Sequence, residues 1–312
     1  MTKTNRAAVE ILGLPGLVCA LALLGPAPAQ AQTATEAVLY SFEDKGSQPI
    51  AGVISDPAGN LYGTAYYGGA GDRGVLYKLD TGGQYTILHS FLGGSDGARP
   101  YAGVVRDAAG NLYGTTVYGG PANMGVVYKV DPAGNETVLH RFSGGADGCQ
   151  PYAGLFLDPA GNLYGTTYYG GAGGSCSLGC GVVFMMNAAG EFQVLHSFAG
   201  ADGENPHASV TLDPAGNIYG TTYEGGPGGG GVVYKLEAGG QLTVLYGFTG
   251  GADGGQPAGG VIHDADGNLY GTTFGGGAEY YAARRTRRVR LARRPYCTAF
   301  REGARGASLR QA

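Results

Sequence analysis

The sequence predicts an all-β protein, a β-propeller of about five four-stranded blades with the last blade incomplete. Three observations carry this. The phrase Gly-Asn-Leu/Ile-Tyr-Gly recurs five times, with its Asn at Asn60, Asn111, Asn162, Asn217 and Asn268, in steps of 51, 51, 55 and 51 residues. A second phrase, Val/Ile-Leu-His/Tyr-x-Phe, keeps the same period and ends at Phe42, Phe91, Phe142, Phe198 and Phe248. Each full unit holds four short β-like runs separated by Gly, Asp and Asn turns. A period near 50 residues is that of blades or arrays, and such runs with frequent turn signals fit a propeller blade. A β-solenoid repeats in shorter turns, and a jelly roll has no repeat of this length.

The chain begins with an export signal. Lys3 and Arg6 form a basic start, Ile11 to Leu24 an apolar stretch, and Ala27-Pro28-Ala29 or Ala29-Gln30-Ala31 a small-residue cleavage site. The apolar stretch is too short to span a bilayer comfortably. Residues 1–31 are therefore expected to be a cleaved secretory signal, leaving no transmembrane helix. Cys19 sits in a poor context for lipid attachment, because the apolar run continues beyond it.

The propeller is expected over 36–278. Val38–Phe42 is a lone outer strand that could complete the last blade and close the ring. The unit 102–142 shows the pattern. Ala102–Asp107 is the first run, and Asp107-Ala108-Ala109-Gly110-Asn111 a turn. Leu112–Thr116 is the second run, followed by a Gly-rich loop. Gly125–Asp131 is the third, and Thr137–Phe142 the fourth after the turn Pro132-Ala133-Gly134-Asn135. Gly supplies the positive-φ positions and Asp or Asn the local side-chain bonds that such turns need. Val138, His140 and Phe142 alternate onto one face, as do Val126, Tyr128 and Val130. The many tyrosines suit gaps between blades, where the ring packs and the hydroxyl reaches a partner.

The repeat stops at residue 278. Residues 279–312 carry ten Arg against two acids, a net +8, while the rest of the chain is −12. One reading is a basic tail for acidic surfaces. The other is a frameshift. Read two bases later in each codon, Pro295–Phe300 permits Thr-Val-Leu-Tyr-Gly-Phe, the strand found at 243–248. Residues 282–288 do not yield the missing third strand in that same shift, so more than one indel is needed. The frameshift reading is preferred, and a polycationic tail with little to bury is expected to be disordered.

Composition narrows the function. Gly and Pro make up about a quarter of the 312 residues, yet 43% are hydrophobic and 22 are Tyr, too much apolar material for a disordered chain. A net charge of −4 argues against nucleic acid as a partner. A monomer is expected.

The full phrase, Asp-x-x-Gly-Asn-Leu-Tyr-Gly-Thr-Thr through Gly-Val-Val-Tyr-Lys-Leu-Asp to Thr-Val-Leu-His-Ser-Phe, resembles the GloVer tandem repeats over roughly residues 37–277. These occur in bacterial exported proteins, often ahead of varied C-terminal surface anchors. The Asp-x-x-Gly-Asn-Leu-Tyr core is also similar to NHL-type propeller blades. The resemblance implies export to the cell surface or periplasm, or secretion, and no established activity.

Few residues suggest chemistry. His89, His140 and His196 share one repeat position and read as packed residues between blades. His207, His263 and Glu224 break the repeat, which makes them better site candidates than the repeated residues, although such a replacement is more often neutral variation. Asp264-Ala265-Asp266-Gly267-Asn268 hints at calcium but is shorter than a calcium loop and lacks its final Glu. It reads as a turn, and no cofactor is expected. Cys176 and Cys180 flank a loop in the one 55-residue step and read as a small disulfide, with Cys149 left over. No nucleophile, base and oxyanion hole can be assembled. The expectation is an exported, non-catalytic protein that binds or displays a surface polymer, glycan or protein. The alternative is a propeller lyase or lactonase with His, carboxylates and a metal at one mouth of the central channel.

Overall fold

The computed structural model describes residues 38–42, 46–172, 177–264, 266–277, 298–302 and 309–311. The described residues from Leu39 onward belong to one compact unit. The expected signal, residues 1–31, lies outside the described residues. No helix among them is long and apolar enough to cross a membrane.

Apart from one 3-10 turn at Gly94–Asp96, the regular structure is all strand. Five four-stranded antiparallel sheets follow in chain order, the blades of a propeller. The first blade is β1 (Ile54–Ser55), β2 (Leu61–Ala65), β3 (Val75–Leu79) and β4 (Tyr85–Ser90). The second is β5 (Val105–Arg106), β6 (Leu112–Thr116), β7 (Val126–Val130) and β8 (Glu136–Arg141). The third is β9 (Phe156–Leu157), β10 (Leu163–Thr167), β11 (Val182–Met186) and β12 (Phe192–Ser197). The fourth is β13 (Thr211–Leu212), β14 (Ile218–Thr222), β15 (Val232–Leu236) and β16 (Leu242–Gly247). The fifth is β17 (Ile262–His263), β18 (Leu269–Thr273), β19 (Thr298–Glu302) and β20 (Leu309–Gln311).

The Asp-x-x-Gly-Asn turns set the register between first and second strands. Asp107 accepts from the Asn111 backbone N–H at 2.8 Å, the Asn111 amide at 2.7 Å and the Tyr113 hydroxyl at 3.0 Å. The same bonds recur at Asp56, Asp158, Asp213 and Asp264. Each turn thus closes on its own carboxylate, the local bond that Asp supplies in such turns.

The third strands are the most buried. In blades one to four their outward-facing Lys or Met is partly exposed and the other four residues are buried. Strict alternation fails in the fourth strands. The register shifts between Val127 and Tyr128, so that Leu139 is bulged out of the ladder, and the same shift recurs in blades one, three and four. A bulge adds twist locally, which carries each outer strand over the neighbouring blade.

Blades join through two repeated contacts. The first is aromatic. Phe91 meets Tyr128 at 5.0 Å and 64°, Phe142 meets Phe184 at 5.5 Å and 62°, and Phe198 meets Tyr234 at 5.2 Å and 65°. Each time, the end of one outer strand packs on the third strand of the next blade. The second is a buried hydrogen bond. Thr64, Thr115 and Thr166 donate to Ala102, Ala153 and Ala208 carbonyls at 2.8, 3.0 and 3.3 Å, and Thr221 donates to Gly259 at 3.0 Å.

Two findings bear on the ends of the propeller. The sequence predicts no order over 279–312, yet β19 and β20 fall inside that stretch, and β19 pairs with the edge of β18 from Tyr270–Arg301 to Thr273–Thr298. An open sheet edge is a template for any segment that can reach it. The rest of the tail lies outside the described residues. Val38–Phe42, expected as a strand of the last blade, is described without strand structure. Tyr40 and Phe42 pack on the first blade, against Tyr77 and Tyr85, as the outer strand of a preceding blade does.

Candidate functional site at the channel mouth

Each first strand is preceded by the same four-residue device. A left-handed residue, then Pro, then a residue facing the channel, then a small residue. The left-handed residues are Gln48, Arg99, Gln150, Asn205 and Gln256, with φ of 56, 60, 53, 57 and 56°. Non-glycine residues rarely adopt this region. Here the surrounding backbone holds them: Asn205 N–H donates to Cys180 O at 2.8 Å, and Tyr223 N–H donates to Asn205 O at 3.0 Å.

The channel-facing residues are Ile50, Tyr101, Tyr152, His207 and Ala258. They line a central cavity of about 490 Å³. The second strands end at the same mouth and supply Tyr66, Tyr168 and Tyr223. Together these side chains make one aromatic cluster centred on His207. Its ring lies 5.5 Å from Tyr152 and nearly parallel at 16°, 5.8 Å from Tyr101, 5.9 Å from Tyr168 and 6.1 Å from Tyr223. Tyr101 meets Tyr152 edge-on at 5.2 Å and Tyr66 at 6.2 Å. At one side the Arg99 guanidinium lies over the Tyr67 ring at 4.0 Å, a cation–π contact.

Electrostatics follow from partial burial. Burial drives the His207 pKa below the usual histidine value, against an opposing hydrogen bond to the Ala258 backbone, so the ring is neutral at neutral pH. Burial raises Tyr152, helped by neighbouring Tyr118, and pushes Tyr168 up to about 12. These hydroxyls are neutral donors and acceptors, not nucleophiles. Glu204 is raised by burial and then by the charge of Glu224. The two glutamates face each other through a backbone bridge, with N···O distances of 2.8 and 3.1 Å.

The structure separates the three symmetry-breaking residues. His207 is the centre of the mouth. Glu224 lies at its rim, and its charge acts on Tyr168 and Tyr223. His263 is elsewhere: its Nε2 donates to Leu212 O at 3.0 Å, tying the fifth blade to the fourth. The repeated histidines are half-buried between blades. His140 stacks on Phe192 at 3.7 Å and bonds Asp147 at 3.2 Å, and His196 bonds Asp202 at 2.8 Å. Cys180 is disulfide-bonded and Cys149 is a buried free thiol. Cys176, the expected partner of Cys180, lies outside the described residues. The Asp264 carboxylate, the calcium candidate, accepts from the Asp266 and Asn268 backbones, the Asn268 amide and the Tyr270 hydroxyl. Among the described residues no three His, Cys, Asp or Glu side chains are grouped to hold a metal ion.

Sequence reasoning missed Tyr66, Tyr101, Tyr152, Tyr168, Tyr223 and Arg99. The available signal was the residue after each repeated Pro, at 50, 101, 152, 207 and 258, which varies while the Pro before it does not.

A family model of the Gloeobacter/Verrucomicrobia repeat matches residues 28–180 and again 173–283. The chain belongs to this repeat family. No protein with a curated description matches it in sequence. Solved structures show the fold. A candidate 6-phosphogluconolactonase from Bacteroides uniformis is 18% identical, with a TM-score of 0.50, covering 84% of this chain and 70% of its own. A gluconolactonase from Xanthomonas campestris is 16% identical, with a TM-score of 0.46, covering 76% and 72%. A luciferin-regenerating enzyme is 12% identical, with a TM-score of 0.48, covering 85% and 77%. At such identities the likeness is one of fold.

Proposed function

We propose that this repeat protein is an exported, non-catalytic binding propeller whose channel mouth takes a surface glycan. The observation that carries this is the aromatic cluster of Tyr101, Tyr152, Tyr168 and Tyr223 around a neutral His207. Sugar rings present C–H faces to aromatic surfaces and hydroxyls to polar groups. Tyrosine offers both, an apolar body and a polar tip, at low conformational cost. The Arg99 side and the Glu204–Glu224 rim supply charged hydrogen-bonding groups at the edge of the platform. Export rests on the basic and apolar start of the sequence, and the protein acts as a monomer.

The test is an oligosaccharide array probed with the purified protein, followed by titration of each positive sugar. With 22 Tyr and no Trp, the chain has no emission specific to the mouth, so calorimetry reads the titration. Replacing one stacking ring costs about 1–3 kcal/mol, by analogy with aromatic platforms for nucleic-acid bases, so Tyr152→Ala should weaken binding at least about fivefold. An array with no positive sugar rejects the proposal. Turnover of an aldonolactone, abolished by Glu204→Gln, would favour the lactonase reading instead.

A further inference from the structure

The seam between the fifth and first blades differs from the other four. At the filled interfaces, a first-strand residue of one blade shares an apolar cluster with its successor's preceding residue. Ile54 joins Val104, Val105 joins Leu155, and Phe156 joins Val210. The matching pair across the last seam is Ile262 and Val53. Val53 is 48% exposed, where Val104, Leu155, Val210 and Val261 are each 4%. Ile262 is 70% exposed and Phe274 60%. The threonine latch is open as well: Thr64, Thr115, Thr166 and Thr221 are buried, and Thr272 is exposed. Backbone contact fails at the same place. A Cβ on Gly103 would lie 2.9 Å from Gly52 O, and one on Gly260 2.6 Å from Ser209 O, but one on Gly52 meets nothing within 4 Å.

The N-terminal segment says what belongs there. Phe42 meets Tyr77 at 5.1 Å and 65°, the geometry by which Phe91, Phe142 and Phe198 meet the blade after their own. Tyr40 stacks on Tyr85 at 4.4 Å and 7°, as His140 stacks on Phe192. Tyr40–Phe42 therefore occupies the outer-strand place of a blade preceding the first. That blade is not the fifth, whose sheet already has its fourth strand in β20.

We infer that the ring has a sixth blade position, of which Tyr40–Phe42 is the outer strand, and that the seam is a docking surface for the other three strands of one further unit of this repeat. The occupant follows from the repeat itself. Ile262, Thr272 and Phe274 stand where, in blades one to four, the next copy of the phrase covers the same positions, and Val53 stands where, in blades two to five, the preceding copy covers it. Its apolar first strand would cover Ile262 and Phe274, its first-strand carbonyl would accept from Thr272, and its third strand would pair with Tyr40–Phe42. The docked blade completes the channel wall between Ala258 and Ile50 and so narrows the mouth.

Two experiments test this. In the chain as it stands, Thr221→Val should lower Tm by several degrees and Thr272→Val should leave it unchanged. Equal losses overturn the inference. In a second variant, the segment 248–277 followed by 227–240 is appended after Ala312, so that a first, a second and a third strand of the repeat follow β20. Hydroxyl-radical footprinting should show Val53, Ile262 and Phe274 oxidised in the starting chain. In the extended chain oxidation of Val53 should fall about tenfold, as exposure falls from 48% to the 4% of Val104. Protection of these residues in the starting chain overturns the inference, at single mass because the ring closes with five blades, and at double mass because a second copy fills the seam. Continued oxidation in a folded extended chain overturns it too.

Discussion

The third-strand tyrosines offer the sharpest energetic test of the packing. Tyr128 and Tyr234 are fully buried, and neither hydroxyl has a hydrogen-bond partner. Each oxygen presses on the second-strand glycine of its own blade: a Cβ on Gly114 would lie 2.5 Å from the Tyr128 hydroxyl, and one on Gly220 2.4 Å from that of Tyr234. The third blade carries Phe184 in the same place, with its ring end 2.5 Å from the corresponding Cβ position on Gly165. An unsatisfied buried hydroxyl costs about 1–3 kcal/mol. Tyr128→Phe removes that cost and leaves the ring contacts with Phe91 intact, so it should stabilise the fold by about 1 kcal/mol, or raise Tm by roughly 2–4 °C for a domain of this size. Phe184→Tyr should do the reverse. Urea melts of both variants, with unchanged m-values, measure it. A loss of 1 kcal/mol or more in Tyr128→Phe would refute the reasoning, because it would mean that the hydroxyl is satisfied, for example by a buried water.

Further outcomes follow from the same packing. Gly114→Ala should cost about 1–3 kcal/mol, since the new methyl overlaps a buried ring that has no room to withdraw; a denaturant midpoint equal to the parent's would contradict it. Bonds from Asn60 and Asn268 hold Asp56 and Asp264 down at about 2, below the unfolded value. Their contribution is present above about pH 4 and is lost as pH falls toward 2, so Tm should drop over that window, and Asp56→Asn should flatten the drop. Glu136 behaves oppositely: burial, then the charge of Asp96, raises it to about 7. Its ionisation in the folded state opposes folding, and the penalty grows from pH 4.5 upward to a plateau above 7. Glu136→Gln should therefore raise Tm at pH 8 and leave it unchanged at pH 4, and a gain of equal size at both pH values would remove the electrostatic account.

The spacing of Asn60, Asn111, Asn162, Asn217 and Asn268 was enough to determine blades, their number among the described sheets, and the turns that open their second strands. These features rest on local physics. An Asp accepts bonds from residues four and six positions ahead, and a strand buries alternate residues, so a short window holds the whole cause. The bulge at Leu139 was not legible, because it answers to twist across a sheet and not to the pattern within one strand. Nor was the mouth. Tyr101, Tyr152 and His207 are about fifty residues apart and look like ordinary repeat positions, and they meet only because successive blades turn about one axis. The open seam is the same kind of fact: Ile262 and Val53 occupy positions that bury elsewhere in the chain, and only the arrangement of blades around the ring decides whether a neighbour covers them.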